Sequence, residues 1–253
     1  MRVLSLIAAC LVACSALAQA PGGERRQAPD FSSACNRLGA RDASGALRWY
    51  RSAAEQRALY LQVFRLAEER LRVLAQSRKP GTWAVIADAD ETLLDNSEFQ
   101  CELEASLEKK FDPMVWDQWV AAERATATPG AAEFVRAVRR LGGLLVVVSN
   151  RVESKHRVST QRNFESLGMA PDAMFLAPEE GATDKNARFR SIAMQGLPGA
   201  VPPPPEIVMF LGDNIEDFPG LTQSDHGPAG NFGSVFFVMP NPIYGSWLRN
   251  TFR

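Results

Sequence analysis

The sequence predicts an α/β protein built on a doubly wound parallel sheet, with a small helical cap inserted after the first strand. Three observations point there. Short apolar runs recur along the chain, several of them unbroken, as expected of parallel strands buried on both faces. They are Trp83–Ala87, Leu144–Val148, Met174–Ala177, Ile207–Leu211 and Val235–Met239. Helical stretches at Ala131–Leu141, His156–Leu167 and Asn186–Met194 alternate with these runs, the order expected of a wound sheet. Polar loop residues follow the runs, at the strand ends where such sheets bind ligands.

At the N-terminus, Arg2 precedes an apolar stretch from Val3 to Val12, the pattern of an export signal. The stretch is too short for a membrane span of roughly 20 residues. Two processing readings stay open. Leu11-Val12-Ala13-Cys14 resembles a bacterial lipobox, which would make Cys14 the lipidated first residue. Ala16-Leu17-Ala18 has the small-x-small pattern of ordinary cleavage, which would start the mature chain at Gln19. We favour the lipobox, because its pattern ends at a cysteine directly after the apolar stretch. Residues 1–20 are assigned to the signal and 21–44, opening rich in Gly, Pro and Arg, to a tether. Cys35 and Cys101 remain. Export permits a disulfide, but two cysteines do not require one.

Residues 45–253 are assigned to one domain. From Leu47 to Leu74 the pattern is helical, with Tyr60, Phe64, Ala67, Leu71 and Leu74 on one apolar face. Lys79-Pro80-Gly81 ends that segment. Residues 95–130 break the alternation and carry Phe99, Phe111, Trp116 and Trp119, as a cap over a site beyond the first strand would. Pro202–Pro205 is a stiff connector. The segment Asp225–Gly230 has no assignment. A composition of 46% hydrophobic and 23% charged residues is that of an ordinary globular protein. The net charge of −1 offers no basic face for a nucleic acid.

Four sets of residues after strands carry chemistry. Asp88-Ala89-Asp90-Glu91-Thr92 follows the first run, and residues two apart in extended chain face one side. Two carboxylates there repel unless a cation or a proton intervenes. Ser149-Asn150-Arg151 follows the second, with a hydroxyl and backbone amides that suit a phosphate oxygen. Lys185 precedes a helix, where it can neutralise a phosphate and an aspartate together. Gly212-Asp213-Asn214-Ile215-Glu216-Asp217 follows the fourth run, and its acids are hard oxygen donors suited to Mg²⁺. Each set alone has an ordinary reading: acids turning a loop, a helix cap, a solvated lysine, a Gly-Asp turn. Their order, each after a separate strand, outweighs those readings.

In that order the sequence resembles the haloacid dehalogenase (HAD) superfamily, whose pattern is matched by Asp88/Asp90/Thr92, Ser149, Lys185 and Asp213/Asp217. More narrowly, Ala87 to Ser97, Val148-Ser149-Asn150-Arg151, Gly212-Asp213-Asn214 with Asp217-Phe218, and Pro240 to Trp247 resemble the class C acid phosphatases. The helix around Ser52 to Ala67 fits the same group, so the resemblance covers roughly residues 45–248. Ala89 departs from it, since a larger aliphatic residue is common there.

The resemblance implies Mg²⁺-dependent hydrolysis of phosphate monoesters, including 5′-nucleotides, through an aspartyl phosphate on Asp88. Asp90 would serve as acid and base. Mg²⁺ would be held by Asp88, the Asp90 carbonyl, Asp213 and, through water, Asp217. Thr92, Ser149, Asn150 and Lys185 would form the phosphate-binding set, with Thr92 also orienting the nucleophile loop. Trp116 and Tyr244, with Phe99 as a looser candidate, would stack on a base. Trp119 shares a helix face with Val115 and Trp116 and is read as core. By resemblance the protein is an outer-membrane lipoprotein or periplasmic, and a homodimer. The alternatives are a non-catalytic binding or storage lipoprotein on the same fold, and a phosphotransferase.

Overall fold

The computed structural model describes residues 29–251, apart from 40, 108, 200, 201, 226 and 228. The signal and both processing readings, Cys14 among them, lie outside the described residues. Five strands form one parallel sheet in the order β5-β4-β1-β6-β7. They are β1 (Trp83–Ala87), β4 (Leu144–Val152), β5 (Ala173–Ala177), β6 (Glu206–Gly212) and β7 (Phe236–Val238). Each of the five apolar runs is a strand of this sheet.

The sheet divides two cores. Along β1, Val85 and Ala87 join one cluster while Ala84 and Ile86 join the other; along β4, Leu145 and Val147 oppose Val146 and Val148. Alternation in space therefore underlies an unbroken apolar sequence. On the first face lie α3 (Ala54–Ala75), α6 (Ala131–Arg140) and α7 (Glu153–Ser166), through residues such as Phe64, Phe134 and Phe164. On the second lies α8 (Asn186–Gln195), through Phe189 and Ile192. Full burial of each such side chain contributes about 1.5–3 kcal/mol. Ala89 is wholly buried in the first cluster.

The long N-terminal helix is two helices. α2 (Gly45–Ser52), capped by the Ser44 hydroxyl, is separated from α3 by Ala53 in extended conformation. The expected apolar face of α3 is present, with Tyr60, Phe64, Ala67 and Leu71 buried and Leu74 packed against the core.

The tether reading needs correction at residues 31–38. They form α1 (Phe31–Leu38), which buries Phe31, Ala34 and Leu38. This helix packs on α4 (Ser97–Ala105), and the Phe31 and Trp119 rings meet edge to face at 5.1 Å. Cys35 and Cys101 are joined in a disulfide across the two helices, 66 residues apart in sequence. Such a crosslink typically stabilises a fold by about 2–4 kcal/mol. Arg37 pairs with Glu102, and Glu104 accepts from the Ser44 amide and hydroxyl at 2.7 and 2.6 Å.

Residues 95–130 stand outside the main sheet, as expected of a cap. They comprise α4, α5 (Pro113–Ala121) and β3 (Thr126–Ala127), which pairs antiparallel with β2 (Leu94–Asp95). Asp112 caps α5 by accepting from the Met114 amide, and Pro113 takes the first turn, where its missing N–H costs nothing. Trp119 is buried, and its indole N–H donates to Asn96 at 2.8 Å.

Candidate active site

β1 ends beside β6, and the Asp88 amide still donates to the Leu211 carbonyl at 2.9 Å. The chain then folds back sharply. The amides of Leu93 and Leu94 both donate to the Ala89 carbonyl, and Glu91 adopts a left-handed φ of 53°. That turn puts Asp88 and Asp90 on the wall of a cavity of about 700 Å³. β6 ends at Gly212, and a single turn over Ile215–Asp217 returns Asp217 to the same place. A Cβ on Gly212 would lie 2.3 Å from the Cβ of Asp217, so only glycine admits this approach.

Lys185, immediately before α8, joins the two loops. Its Nζ donates to Asp88 at 2.5 Å and to Asp217 at 2.7 Å, and the side chain is almost fully buried. The second oxygen of Asp217 accepts from the Asn214 amide at 2.9 Å. Asp213 accepts from the Thr92 hydroxyl at 3.2 Å and from the Asn241 amide group at 2.9 Å. Carboxylate oxygens of Asp88, Asp213 and Asp217 lie within 4.8 Å of one another.

Three acids thus face one ammonium in a poorly hydrated place. Burial pushes the Asp88 carboxyl up to about 7, with Asp217 and Asp90 adding repulsion and Lys185 opposing it. Burial likewise holds Asp213 well above the usual carboxylate range, reinforced by Asp217 and Asp88. Burial works against the Lys185 charge, but Asp217 and Asp88 outweigh it and raise that ammonium. Three carboxyls thus share one ammonium, and ionising all of them together in this buried place is unfavourable without a further cation.

Aromatic residues also line the cavity. Trp116 from α5 and Tyr244 from the loop after β7 both line it, together with Phe99 and Phe111. Phe99 is buried and meets Trp116 edge to face at 4.9 Å, so it backs Trp116 instead of offering an open face.

A family model for the HAD superfamily, subfamily IIIB (acid phosphatase), matches residues 28–247. The chain belongs to that family. A solved structure of the class C acid phosphatase from Bacillus anthracis is 30% identical over 83% of this chain and 88% of that one, with a TM-score of 0.67. A second structure of the B. anthracis enzyme, with tungstate bound, is 29% identical over the same shares, with a TM-score of 0.67. Hydrolysis of phosphate monoesters is the chemistry of this acid phosphatase family, and the wound parallel sheet is its fold.

HAD phosphatases use a divalent metal, and the residues here fit one. The fit rests on three hard oxygen donors brought together at the strand ends with a single ammonium among them. Asp88, Asp213 and Asp217 are the residues that would hold it.

Two expected phosphate contacts are placed differently. Neither Thr92 nor Ser149 lines the cavity. Thr92 is buried inside the nucleophile turn with its hydroxyl on Asp213. Ser149 is buried within β4, and its hydroxyl accepts from the Arg151 amide at 3.1 Å. Asn150 does line the cavity, with its side-chain oxygen accepting from Arg188 at 2.6 Å.

Sequence reasoning gave no role to Arg151 or Arg188. The Arg151 guanidinium is buried, donates to both oxygens of Asp90, and also reaches Thr160 and Asn96. It also lies 5.5 Å from the centre of the Trp116 ring, within cation–π range. Arg188 sits one helical turn after Lys185 and donates to the Ser149 carbonyl at 2.5 Å.

Proposed function

We propose that the chain hydrolyses phosphate monoesters, 5′-nucleotides among them, with Mg²⁺ and through an aspartyl phosphate on Asp88. The observation that carries this reading is the meeting of Asp88, Lys185, Asp213 and Asp217 in a cavity that Trp116 and Tyr244 also line. An Asp88 oxygen attacks phosphorus and the bond to the leaving oxygen breaks; Asp90 gives that oxygen a proton. Water then attacks the phosphoryl group, Asp90 takes its proton, and the bond to Asp88 breaks. Lys185 holds the nucleophile loop and Asp217 together and offsets charge on the phosphoryl oxygens. Bound Mg²⁺ would offset the repulsion between an anionic nucleophile and an anionic substrate. The tungstate-bound relative supports an oxyanion site of this kind.

On this reading the nucleoside is recognised by Trp116 and Tyr244. Stacking on an aromatic ring is worth about 1–3 kcal/mol per base. Trp116→Ala or Tyr244→Ala should therefore lower kcat/KM for a 5′-nucleotide by about 5- to 150-fold. The loss on glycerol phosphate, which has no ring, should be several times smaller. Equal losses on both substrates would reduce these residues to a structural role and the enzyme to a general phosphatase. We further propose export with lipidation at Cys14. Mass spectrometry of the mature N-terminus tests it, and an unmodified start at Gln19 would overturn it.

A further inference from the structure

One buried acid beside the site has no part in the chemistry above. Glu91 has no measurable exposure, although it lies between Asp90 and Thr92 in the nucleophile turn. Its main chain and side chain gather three segments, and a fourth joins through Tyr60. The carbonyl accepts from the Tyr60 hydroxyl of α3 at 2.5 Å, and Tyr60 in turn meets the Tyr50 hydroxyl of α2 at 3.0 Å. One carboxylate oxygen accepts from the Asn96 amide at the start of α4, at 2.8 Å. The other accepts from the Tyr244 hydroxyl. Burying a carboxyl is costly without partners, and these bonds supply them. The residue is retained in a left-handed backbone conformation that most side chains avoid. Both costs are met where the side chain ties Tyr244.

We propose that Glu91 is the positioning residue for Tyr244: the bond between them fixes the angle at which the Tyr244 ring faces the cavity, and so sets selectivity for planar leaving groups. The inference rests on the reading of Tyr244 as a base-stacking residue. Tyr244 follows Pro240-Asn241-Pro242-Ile243 and precedes Gly245, a loop outside any strand or helix. Its ring is only partly buried. Asn241 anchors the start of the loop on Asp213, and Ser246 anchors its end by donating to Asn214 at 2.6 Å. Between those anchors the hydroxyl of Tyr244 holds the ring. Stacking depends on the plane of the ring, so a ring left without that bond loses part of its contribution while still present.

Tyr244→Phe tests this, because it removes one oxygen and keeps the ring. For a 5′-nucleotide, KM should rise about 5-fold, the worth of one ordinary hydrogen bond. The rise should be several times any change on glycerol phosphate. Glu91→Gln should retain most of the nucleotide preference. Its carbonyl can still accept from Asn96, and its amide can donate to the Tyr244 oxygen. Glu91→Ala should match Tyr244→Phe in nucleotide preference, and the double variant should lose little more, the mark of one shared interaction. Tyr244→Phe with wild-type nucleotide KM, where Tyr244→Ala is impaired, would overturn the positioning role and leave the stacking reading intact. Nucleotide preference untouched by Tyr244→Ala would overturn both. Glu91→Ala losing equally on both substrates would assign Glu91 to the nucleophile turn alone and overturn the proposal.

Discussion

Asp88→Asn is expected to cut turnover by roughly a thousandfold or more, the scale on which removal of a nucleophile is felt, while the protein stays folded. The amide keeps the size of the side chain and one oxygen for Lys185, which sits at 2.5 Å. It loses the anion that must attack phosphorus. Stability should respond in a separate way. Burial raises the Asp88 carboxyl to about 7 from an ordinary value of 3.8. The folded state therefore binds this proton more tightly than the unfolded chain does. From this group alone, stability is greatest at low pH, falls as pH rises from about 4 to about 7, and is level above that. Asparagine has no such proton, so the variant should lose this part of the slope. Thermal melts of metal-free wild type and Asp88→Asn between pH 4 and 8 read it directly. A folded variant that releases phosphate at near wild-type rates would sink the nucleophile assignment. An unchanged slope would mean that another group carries the pH dependence.

The main sheet was readable because its strands are buried on both faces. A stretch such as Trp83–Ala87 has no polar position to confuse the pattern, and all five of its residues are buried. The helix at 31–38 was not readable for the opposite reason. Its surroundings are polar and glycine-rich, and only Phe31, Ala34 and Leu38 mark the buried face. Its stability comes from contacts distant in sequence, the Trp119 ring and the Cys35–Cys101 bond. The short β2–β3 pair was missed because two residues per strand carry no period at all.

At the site, the residues whose chemistry is their own were legible. Asp88, Lys185, Asp213 and Asp217 converge as their order after separate strands implied. Those that act through a neighbour were not. Thr92 and Ser149 have the right types in the right places, but their hydroxyls serve Asp213 and the Arg151 amide. Arg151 was passed over because an arginine at a strand end reads as surface, yet it is buried against Asp90. Glu91 sits inside a motif whose other polar residues carry the chemistry, and nothing in its spacing points to Tyr244. Whether a polar side chain faces ligand or scaffold depends on partners more than sixty residues away, as with Arg151 and Asp90, and local spacing does not encode that.

Removal of the metal is expected to silence the enzyme, and Mg²⁺ to restore it. The acids at the strand ends repel one another, and Lys185 reaches only Asp88 and Asp217. Asp213 has hydrogen bonds from Thr92 and Asn241 but, among the described residues, no ion pair. It should therefore depend most on a bound ion. Asp213→Asn should raise the Mg²⁺ concentration for half-maximal activity by about 100-fold or more, beyond the usual cost of losing an outer partner of a metal site. Asp217→Asn should be milder, because its two oxygens are already taken by Lys185 and the Asn214 amide. A melt gives a readout independent of turnover. A ligand present at a hundred times its Kd stabilises a folded protein by about 2.7 kcal/mol, so wild type should melt measurably higher with Mg²⁺. The Asp213→Asn melt should barely move at the same concentration. It should also start higher than metal-free wild type near neutral pH, since burial raises the Asp213 carboxyl and an amide removes the cost of either protonating or ionising it there. Full activity in excess chelator would count against the metal altogether. An unaltered Mg²⁺ shift in Asp213→Asn would place the ion on other oxygens.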